Sequence, residues 1–377
     1  MAKEQIPITP EVLRWARERA QFSIEELLDD FRNIEDWERG ESFPTYPQLE
    51  RLSETFKVPV AIFFFPEPPN VPPIRESFRT LPDVHFDALP REVRFLLRKA
   101  KALQINLSEL NEGRNPAAKF ILDDLRFDLD VNISEMAQVV RNYLNVPIAT
   151  QIGWSNSEEA FDAWRDVLDT YGVAVFKDAF RNDFYSGFCL YDEVFPLIYV
   201  NNSVKTRQIF TLFHELSHLL FHTSGINTLS DEHTEALLPD DRRIEVICNQ
   251  FAAEFLLPSE LFEADTATLP ASEETATLIA NRYHVSRESV FRRFLDRGQI
   301  TEGEYLEAAK RWSQQRQEGS GGNHYWTKIA YLGTNYINLA FSRYYQNRIS
   351  EPQLADYLDT KVKNLPKLES YFARKVV

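Results

Sequence analysis

The sequence has little cysteine, little methionine and no long apolar stretch. Its 377 residues include 2 Cys and 2 Met. Two cysteines, Cys189 and Cys248, are too few for a disulfide-stabilised scaffold and are typical of a reducing compartment. No run approaches the roughly 18 apolar residues of a membrane helix, and the first ten residues lack the apolar centre of a signal peptide. These absences predict a soluble cytoplasmic protein.

Positive charge is also scarce. The chain carries 42 Lys and Arg against 57 Asp and Glu, for a formal net charge of −15, which argues against binding nucleic acid through the whole surface. Residues 282–377 are the exception, with 16 basic and 10 acidic residues and many tyrosines. They could contact DNA or single-stranded nucleic acid by stacking and phosphate contacts, and an aromatic core of packed helices would explain the same composition.

The most informative stretch is the apolar segment around His214-Glu215-Leu-Ser-His218. On a helix, His214 and His218 are four residues apart and project from one face, so their imidazoles can bind a single zinc ion. Glu215 would lie near a water on that ion and could act as general base. The HExxH pattern therefore predicts a zinc peptidase site on a buried helix.

A catalytic zinc usually takes a third protein ligand and leaves a fourth position open. Phe221 and Ser224 stand where a metzincin would need glycine and histidine, which excludes that class. Glu245, on the predicted helix that follows, is the preferred ligand, and Asn249 could orient a ligand histidine. Three alternatives remain: His222 one turn further on, Glu254 on the same helix as Glu245, and Cys248 as a fourth ligand that would close the site.

The rest of the chain predicts mostly helices and a small sheet. Short helices follow one another closely in residues 8–65, and Pro72, Pro73 and Pro82 mark an extended linker. Apolar periodicity predicts further helices in 84–148. In 157–202 a helix precedes three short strands, which are Val173–Phe176, Ser186–Leu190 and Pro196–Val200. The predicted fold class is therefore α+β, mostly α-helical, with a gluzincin-like zincin core.

Two motifs in this sequence resemble the ImmA/IrrE family of zinc metallopeptidases. They are His-Glu-Leu-x-His-Leu-Leu from His214 and Glu-x-x-x-Asn-x-Phe-Ala-Ala-Glu-x-Leu-Leu-Pro from Glu245. The Trp-Glu-x-Gly-x-x-x-Pro-Thr run from Trp37 is similar to that of XRE-type helix-turn-helix domains. Longer family members also carry a Phe-Phe-Phe-Pro-Glu-Pro-Pro segment, here from Phe63, and Phe78-Arg79-Thr80.

The resemblance implies zinc bound by His214, His218 and Glu245, with Glu215 as general base. It also implies cleavage of a specific protein, such as a repressor or antitoxin, in a stress, DNA-damage or mobile-element response. Cys248 departs from the family, where alanine is common, and the region for a recognition helix in the first domain is short and acidic. The predicted domains are an XRE-like domain at 1–65, a helical connector at 66–156, a zincin domain at 157–310 and a helical domain at 311–377.

Two points stay open at the level of sequence. The residue that stabilises the oxyanion could be His233, Tyr283 or Tyr185. The second hypothesis for function is a non-enzymatic transcriptional regulator or antitoxin-like protein, whose zinc site is structural.

Overall fold

The computed structural model describes residues 5–20, 22–56, 58, 60–69, 89–182, 184–228, 239–314 and 322–376. The chain forms two compact units, Met1–Arg98 and Lys99–Val377. The predicted prolines of the linker and the segment Phe78–Thr80 lie outside the described residues. The boundaries of the four predicted domains stay predictions. None of the helices that the structure describes has the length and hydrophobicity needed to cross a bilayer.

The first unit is a bundle of short helices around Trp37, which is 1% exposed. Its helices are α1 (Pro10–Arg19), α2 (Ile24–Leu27), α3 (Ile34–Arg39) and α4 (Tyr46–Phe56), followed by a 3-10 turn at Val60–Phe64. The buried Glu38 carboxylate accepts hydrogen bonds of 2.6 and 3.1 Å from the Arg17 guanidinium, which ties α3 to α1. The helices α2 and α3 span only four and six residues, so the position expected for a recognition helix holds a short element.

The second unit begins within a long helix and continues with short helices. These are α5 (Arg91–Leu110), α6 (Ile121–Asp124), α7 (Ile133–Tyr143), α8 (Ile148–Gly153) and α9 (Ser157–Thr170). Asn132 and Asn156 cap α7 and α9, because each side chain accepts hydrogen bonds from backbone N–H groups of the first turn.

A four-stranded sheet follows, in the order β1-β3-β2-β4. Its strands are β1 (Ala174–Asp178), β2 (Tyr185–Leu190), β3 (Leu197–Asn201) and β4 (Ile226–Thr228). β3 is parallel to β1 and antiparallel to β2, and β4 pairs antiparallel with β2. Three strands match those predicted from the sequence. The fourth has only three residues and carries no alternation long enough to reveal it.

Two helices pack against each other on this sheet. They are α10 (Lys205–Leu220), between β3 and β4, and α11 (Pro239–Leu256). Phe213 of α10 stacks on Phe255 of α11 with ring centroids 4.1 Å apart, and Trp164 of α9 meets Phe213 edge to face at 4.8 Å. These buried rings fix the relative positions of the helices that hold the site.

The chain ends in helices that complete the second unit. They are α12 (Ser259–Thr266), α13 (Glu273–Tyr283), α14 (Arg287–Asp296), α15 (Glu302–Gln314), α16 (His324–Leu332), α17 (Thr334–Tyr345), α18 (Glu351–Tyr357) and α19 (Leu365–Val376), with a 3-10 turn at Val362–Asn364. The secondary structure is thus mostly helical with one small sheet, in agreement with the predicted α+β class.

Candidate metal centre

The helix α10 turns its two motif histidines and Glu215 into the interior. His214 and Glu215 are fully buried, and His218 is 3% exposed. The apolar residues that flank them are also buried, so most of the helix lies in the core of the second unit. Burial of three ionisable side chains side by side is costly unless they bind one another or a metal ion.

Glu245 on α11 faces the two imidazoles. The Nε2 atoms of His214 and His218 are 3.2 Å apart. Each also lies 3.2 Å from a carboxylate oxygen of Glu245, Oε2 for His214 and Oε1 for His218. The structure therefore brings the three predicted ligands together, from two helices that pack directly against each other.

The outer nitrogens of the two histidines have their own acceptors. Nδ1 of His214 is 3.0 Å from Oδ1 of Asn249, one turn beyond Glu245. Nδ1 of His218 is 3.4 Å from the Thr223 hydroxyl, which itself donates to the His218 carbonyl at 3.0 Å. Because each Nδ1–H donates to one of these oxygens, the free lone pair of each ring lies on Nε2. Asn249 was predicted for this role, and Thr223 was missed because it lies beyond the end of the helix.

This donor set fits a divalent cation. Two nitrogen lone pairs and a carboxylate face one another without a hydrogen-bond donor between them. These groups repel one another unless a proton or a metal ion lies between them. Zinc bonds of about 2.0–2.1 Å in a tetrahedron separate ligand atoms by roughly 3.3–3.4 Å, close to the 3.2 Å found for each pair. His214, His218 and Glu245 can therefore hold a metal ion with little rearrangement.

The pKa values of Glu245 and His218 reflect their proximity. Burial opposes ionisation of Glu245, but His218 and His214 outweigh it and hold the pKa of Glu245 well below its ordinary value. Burial likewise opposes protonation of His218, yet neighbouring Cys248 and Glu245 raise the pKa of that imidazole. The carboxylate thus remains ionised, as a metal ligand must be.

Glu215 lies beside this triangle and has a different environment. Neither of its carboxylate oxygens has a hydrogen-bond partner among the described residues, although the weakly donating thiol of Cys189 lies near it. Burial raises the pKa of Glu215 to about 7, against the lowering effect of His214 and His218. A carboxyl with that pKa can both accept and release a proton near neutrality.

The alternative ligands lie apart from the three. The helix ends at Leu220, and His222 adopts a left-handed conformation with φ 56°, where its Nδ1 contacts the Tyr191 hydroxyl at 3.1 Å. Glu254 accepts hydrogen bonds from Ser259 and so caps α12. Cys248 is fully buried beside His218 but is not part of the cluster that could hold a metal.

Of the oxyanion candidates, Tyr283 has its hydroxyl engaged elsewhere. The Tyr283 hydroxyl donates to Asp265 at 2.7 Å, and Tyr185 is paired with Thr228 in the sheet. His233 lies outside the described residues. Gly225 is a contributor that the sequence analysis missed. A Cβ at that position would come within 2.7 Å of the His218 ring, so only glycine lets the chain before β4 pass so close to the metal ligand.

Comparisons with known proteins agree with this geometry. Residues 168–295, which include the whole site, match the family described as the IrrE N-terminal-like domain, a peptidase family. Over 136 residues the chain is 34% identical to the radiation response metalloprotease IrrE of Deinococcus deserti, an alignment that covers 35% of this chain and 46% of that relative. The chain thus matches about half the length of this curated relative. Both findings show that this part of the chain, which holds the site, is similar to metallopeptidases of the IrrE kind.

Proposed function

We propose that this protein is a zinc-dependent endopeptidase. The observation that carries the proposal is the buried triangle of His214, His218 and Glu245, whose lone pairs and charge converge without a donor between them. Glu215 stands beside it with both oxygens unpaired among the described residues. Structural zinc sites use four protein ligands, and the described residues offer three here.

Each residue has a distinct task in this proposal. His214, His218 and Glu245 would bind the metal, and Asn249 and Thr223 hold the two rings in the required tautomer. The metal, when bound, supplies Lewis acidity to a peptide carbonyl and acidifies water. Glu215 accepts a proton from the attacking water and returns it to the leaving amine.

The strand β4 supplies a place for an extended substrate. It is the last strand of the sheet order, so its outer edge has no partner strand among those described. The residue just before it, Gly225, lies against the His218 ring. A peptide that added to this edge by backbone hydrogen bonds would run past the metal ligands.

The substrate class is proposed on the resemblance to the family. A specific partner protein, such as a helix-turn-helix repressor or an antitoxin, is the proposed target in a stress or DNA-damage response. The similarity to a radiation response metalloprotease supports this choice. The first unit is proposed as an XRE-like domain that contacts the partner or DNA, and the cytoplasm as the site of action.

The test compares wild type with Glu215→Gln. Gln keeps the size of the side chain but cannot accept the proton, so metal content should stay at one ion per chain while cleavage is lost. Metal is measured by mass spectrometry of the desalted protein. Cleavage is measured by enrichment of new protein N-termini in cells that express each variant, with the product of a neighbouring gene as the first purified candidate.

Glu254→Gln is the matched control, because Glu254 lies on α11 but contacts Ser259 rather than the metal ligands. It should retain both metal and cleavage. Cleavage that survived in Glu215→Gln, or that resisted a chelator, would contradict the proposal. Loss of cleavage with an undiminished regulatory effect would instead favour the non-enzymatic regulator.

A further inference from the structure

A cavity lies away from the candidate metal ligands, within the second unit, Lys99–Val377. It has a volume of about 570 Å³ and is enclosed by α9, β1, the first residue of α10, and the C-terminal helices α16, α17 and α19. None of the residues of the metal triangle lines it. At 1.5 Å per residue, the nine residues from Lys205 to His214 separate the two places by about 14 Å along α10.

Lys177 of β1 is the most unusual group in its wall. It is 4% exposed, and its Nζ donates to the Gln208 side-chain oxygen at 3.2 Å. Among the described residues, it forms no ion pair with a carboxylate. Its ammonium instead lies 5.2 Å from the centre of the Phe161 ring. A buried ammonium without a counter-ion is costly, so the site favours an anion that can enter from the cavity.

Lys205 adds a second ammonium at the same place. Its Nζ lies 5.0 Å from the centre of the Phe161 ring that Lys177 also contacts. Glu158 is paired with Lys205 at 3.3 Å. Asp162 favours the charged form of Lys177 and is itself paired with Lys375, another wall residue, at 3.4 Å. Burial, together with the charges of Lys205 and Arg165, lowers the pKa of Lys177 to about 7, as expected where positive charge is in excess.

Arg165 is a third cationic residue in the wall of the cavity, and only 5% of its surface is exposed. Its guanidinium donates to the carbonyls of Ala330 and Tyr331, at 2.9 and 3.0 Å, and so binds the end of α16. Its Nε has no hydrogen-bond partner among the described residues. A Cβ at Gly333, another wall residue, would lie 2.6 Å from the guanidinium, so glycine lets the backbone pack directly against it.

Hydrogen-bond acceptors and an aromatic ring also line the cavity. Asp162 and Asp166 of α9 line the cavity with Asn335, whose amide donates to Asp166 at 3.2 Å. Trp326 is 39% exposed and also lines the cavity. A ligand that fills this space would therefore meet cations, hydrogen-bond acceptors and an indole.

We propose that this cavity is a binding site for a small phosphorylated metabolite of the nucleotide class. The phosphate binds between Lys177 and Lys205, beside the Arg165 guanidinium. Hydroxyl or amino groups donate to Asp162 and Asp166, and a planar ring stacks on Trp326. Because the ligand contacts α10 and the C-terminal helices together, its binding stabilises their association.

The experiment uses the full chain with inorganic phosphate, adenosine 5′-monophosphate and adenosine as probes, at matched ionic strength. Phosphate and the nucleotide are expected to raise the thermal unfolding midpoint, and the nucleotide to quench tryptophan fluorescence in wild type but not in Trp326→Phe. Adenosine, which lacks the phosphate, should leave the midpoint unchanged. Calorimetric titration then gives the affinities.

Lys177→Met should weaken binding of the nucleotide by about tenfold or more, since a charge-assisted hydrogen bond is lost. Lys101→Met is the matched control, because Lys101 also donates to a glutamine, Gln104, at 2.6 Å but does not line the cavity. Lys205→Met, with a more exposed side chain, provides a second test that does not disturb a buried position.

Three results would overturn the assignment. The first is the absence of any stabilisation of wild type by phosphate or the nucleotide at a ligand concentration of about 1,000 times a micromolar dissociation constant. At that concentration linkage predicts that the free energy of unfolding rises by roughly 4 kcal/mol. The second is equal affinity in wild type, Lys177→Met and Lys205→Met. The third is stabilisation by adenosine as large as that by the nucleotide.

Discussion

His214 and His218 show how single contacts prepare a metal ligand. Each ring presents Nε2 to the site because its Nδ1 has an acceptor, Asn249 for one and Thr223 for the other. The four-residue spacing of the histidines and the helical position of Glu245 could be deduced from the sequence. The contact of Thr223 could not, because it depends on how the chain turns after His222 enters a left-handed conformation.

Replacement of Asn249 by alanine should weaken metal binding about 10- to 100-fold, the usual effect of removing a hydrogen bond from a ligand histidine. Without the Asn249 oxygen, the His214 ring can take the other tautomer or rotate. Competition with a chromophoric chelator measures the affinity. Gln250→Ala, at an exposed neighbouring position, is the control, and an equal loss in both variants would contradict the role given to Asn249.

Lys177 makes the stability of the second unit depend on pH. Its pKa is about 7 in the folded protein and 10.5 ordinarily, so between these values the unfolded chain binds the extra proton. Its burial therefore destabilises the fold fully below pH 7, and stability recovers as the pH rises towards 10.5. The charged groups around it are Lys205, Arg165 and, more weakly, Asp162.

Urea unfolding at pH 7, 8 and 9 tests this dependence. Wild type should gain about 1.4 kcal/mol per pH unit from this lysine, and Lys177→Met should lack that gain and be more stable than wild type at pH 7. Lys119→Met, at an exposed position, should keep the wild-type slope. A slope that persists in Lys177→Met would show that another group causes it.

At the scale of elements, helices were easier to predict than the sheet. Apolar periodicity and capping residues identified α9, α10 and α11, because those signals are local. The strands β1, β2 and β3 were found from short apolar runs, whereas the short β4 follows Gly225, which lets the chain approach α10. The termination of α10 just after His218 likewise depends on tertiary contacts, so the sequence left His222 open as a ligand.

The C-terminus of α11 is anchored by a half-buried arginine. Arg141 donates to the carbonyl of Phe255 and, at 2.9 Å, to the side chain of Gln151, which in turn donates to the Leu256 carbonyl at 2.8 Å. Its guanidinium also lies 4.3 Å from the centre of the Phe255 ring. This network fixes the helix that carries Glu245.

Arg141→Met should lower the free energy of unfolding by about 2–4 kcal/mol, because buried carbonyls lose a charged donor. Chemical denaturation followed by circular dichroism measures the change. Arg126→Met, at an exposed position, should change stability by less than about 0.5 kcal/mol. Comparable unfolding midpoints for the two variants would show that Arg141 is not an anchor.

At the scale of the whole molecule, the chain forms two units, and the metal triangle lies entirely in Lys99–Val377. The resemblance found in the sequence led to this triangle. The 570 Å³ cavity was not anticipated, since its wall combines residues of α9 with residues more than 150 positions later. Local patterns carry no information about such pairings.

Zinc should therefore protect one unit and not the other. A ligand at 100 times its dissociation constant stabilises its own folding unit by about 2.7 kcal/mol. Hydrogen exchange followed by mass spectrometry, with zinc or with a chelator, should show added protection in peptides from residues 205–256 and none in peptides from residues 10–56. His214→Ala should abolish the difference, and protection spread evenly over both units would contradict this expectation.

The helix α10 runs from the 570 Å³ cavity at Lys205 to the candidate metal ligand His218 in its last turn. Its aligned peptide dipoles give a partial positive charge at the first end and a partial negative charge at the last. An anion at one end and a cation at the other are both favoured by that polarity. An anion in the cavity and a metal ion at His218 would therefore each add to the electrostatic stability of the same helix.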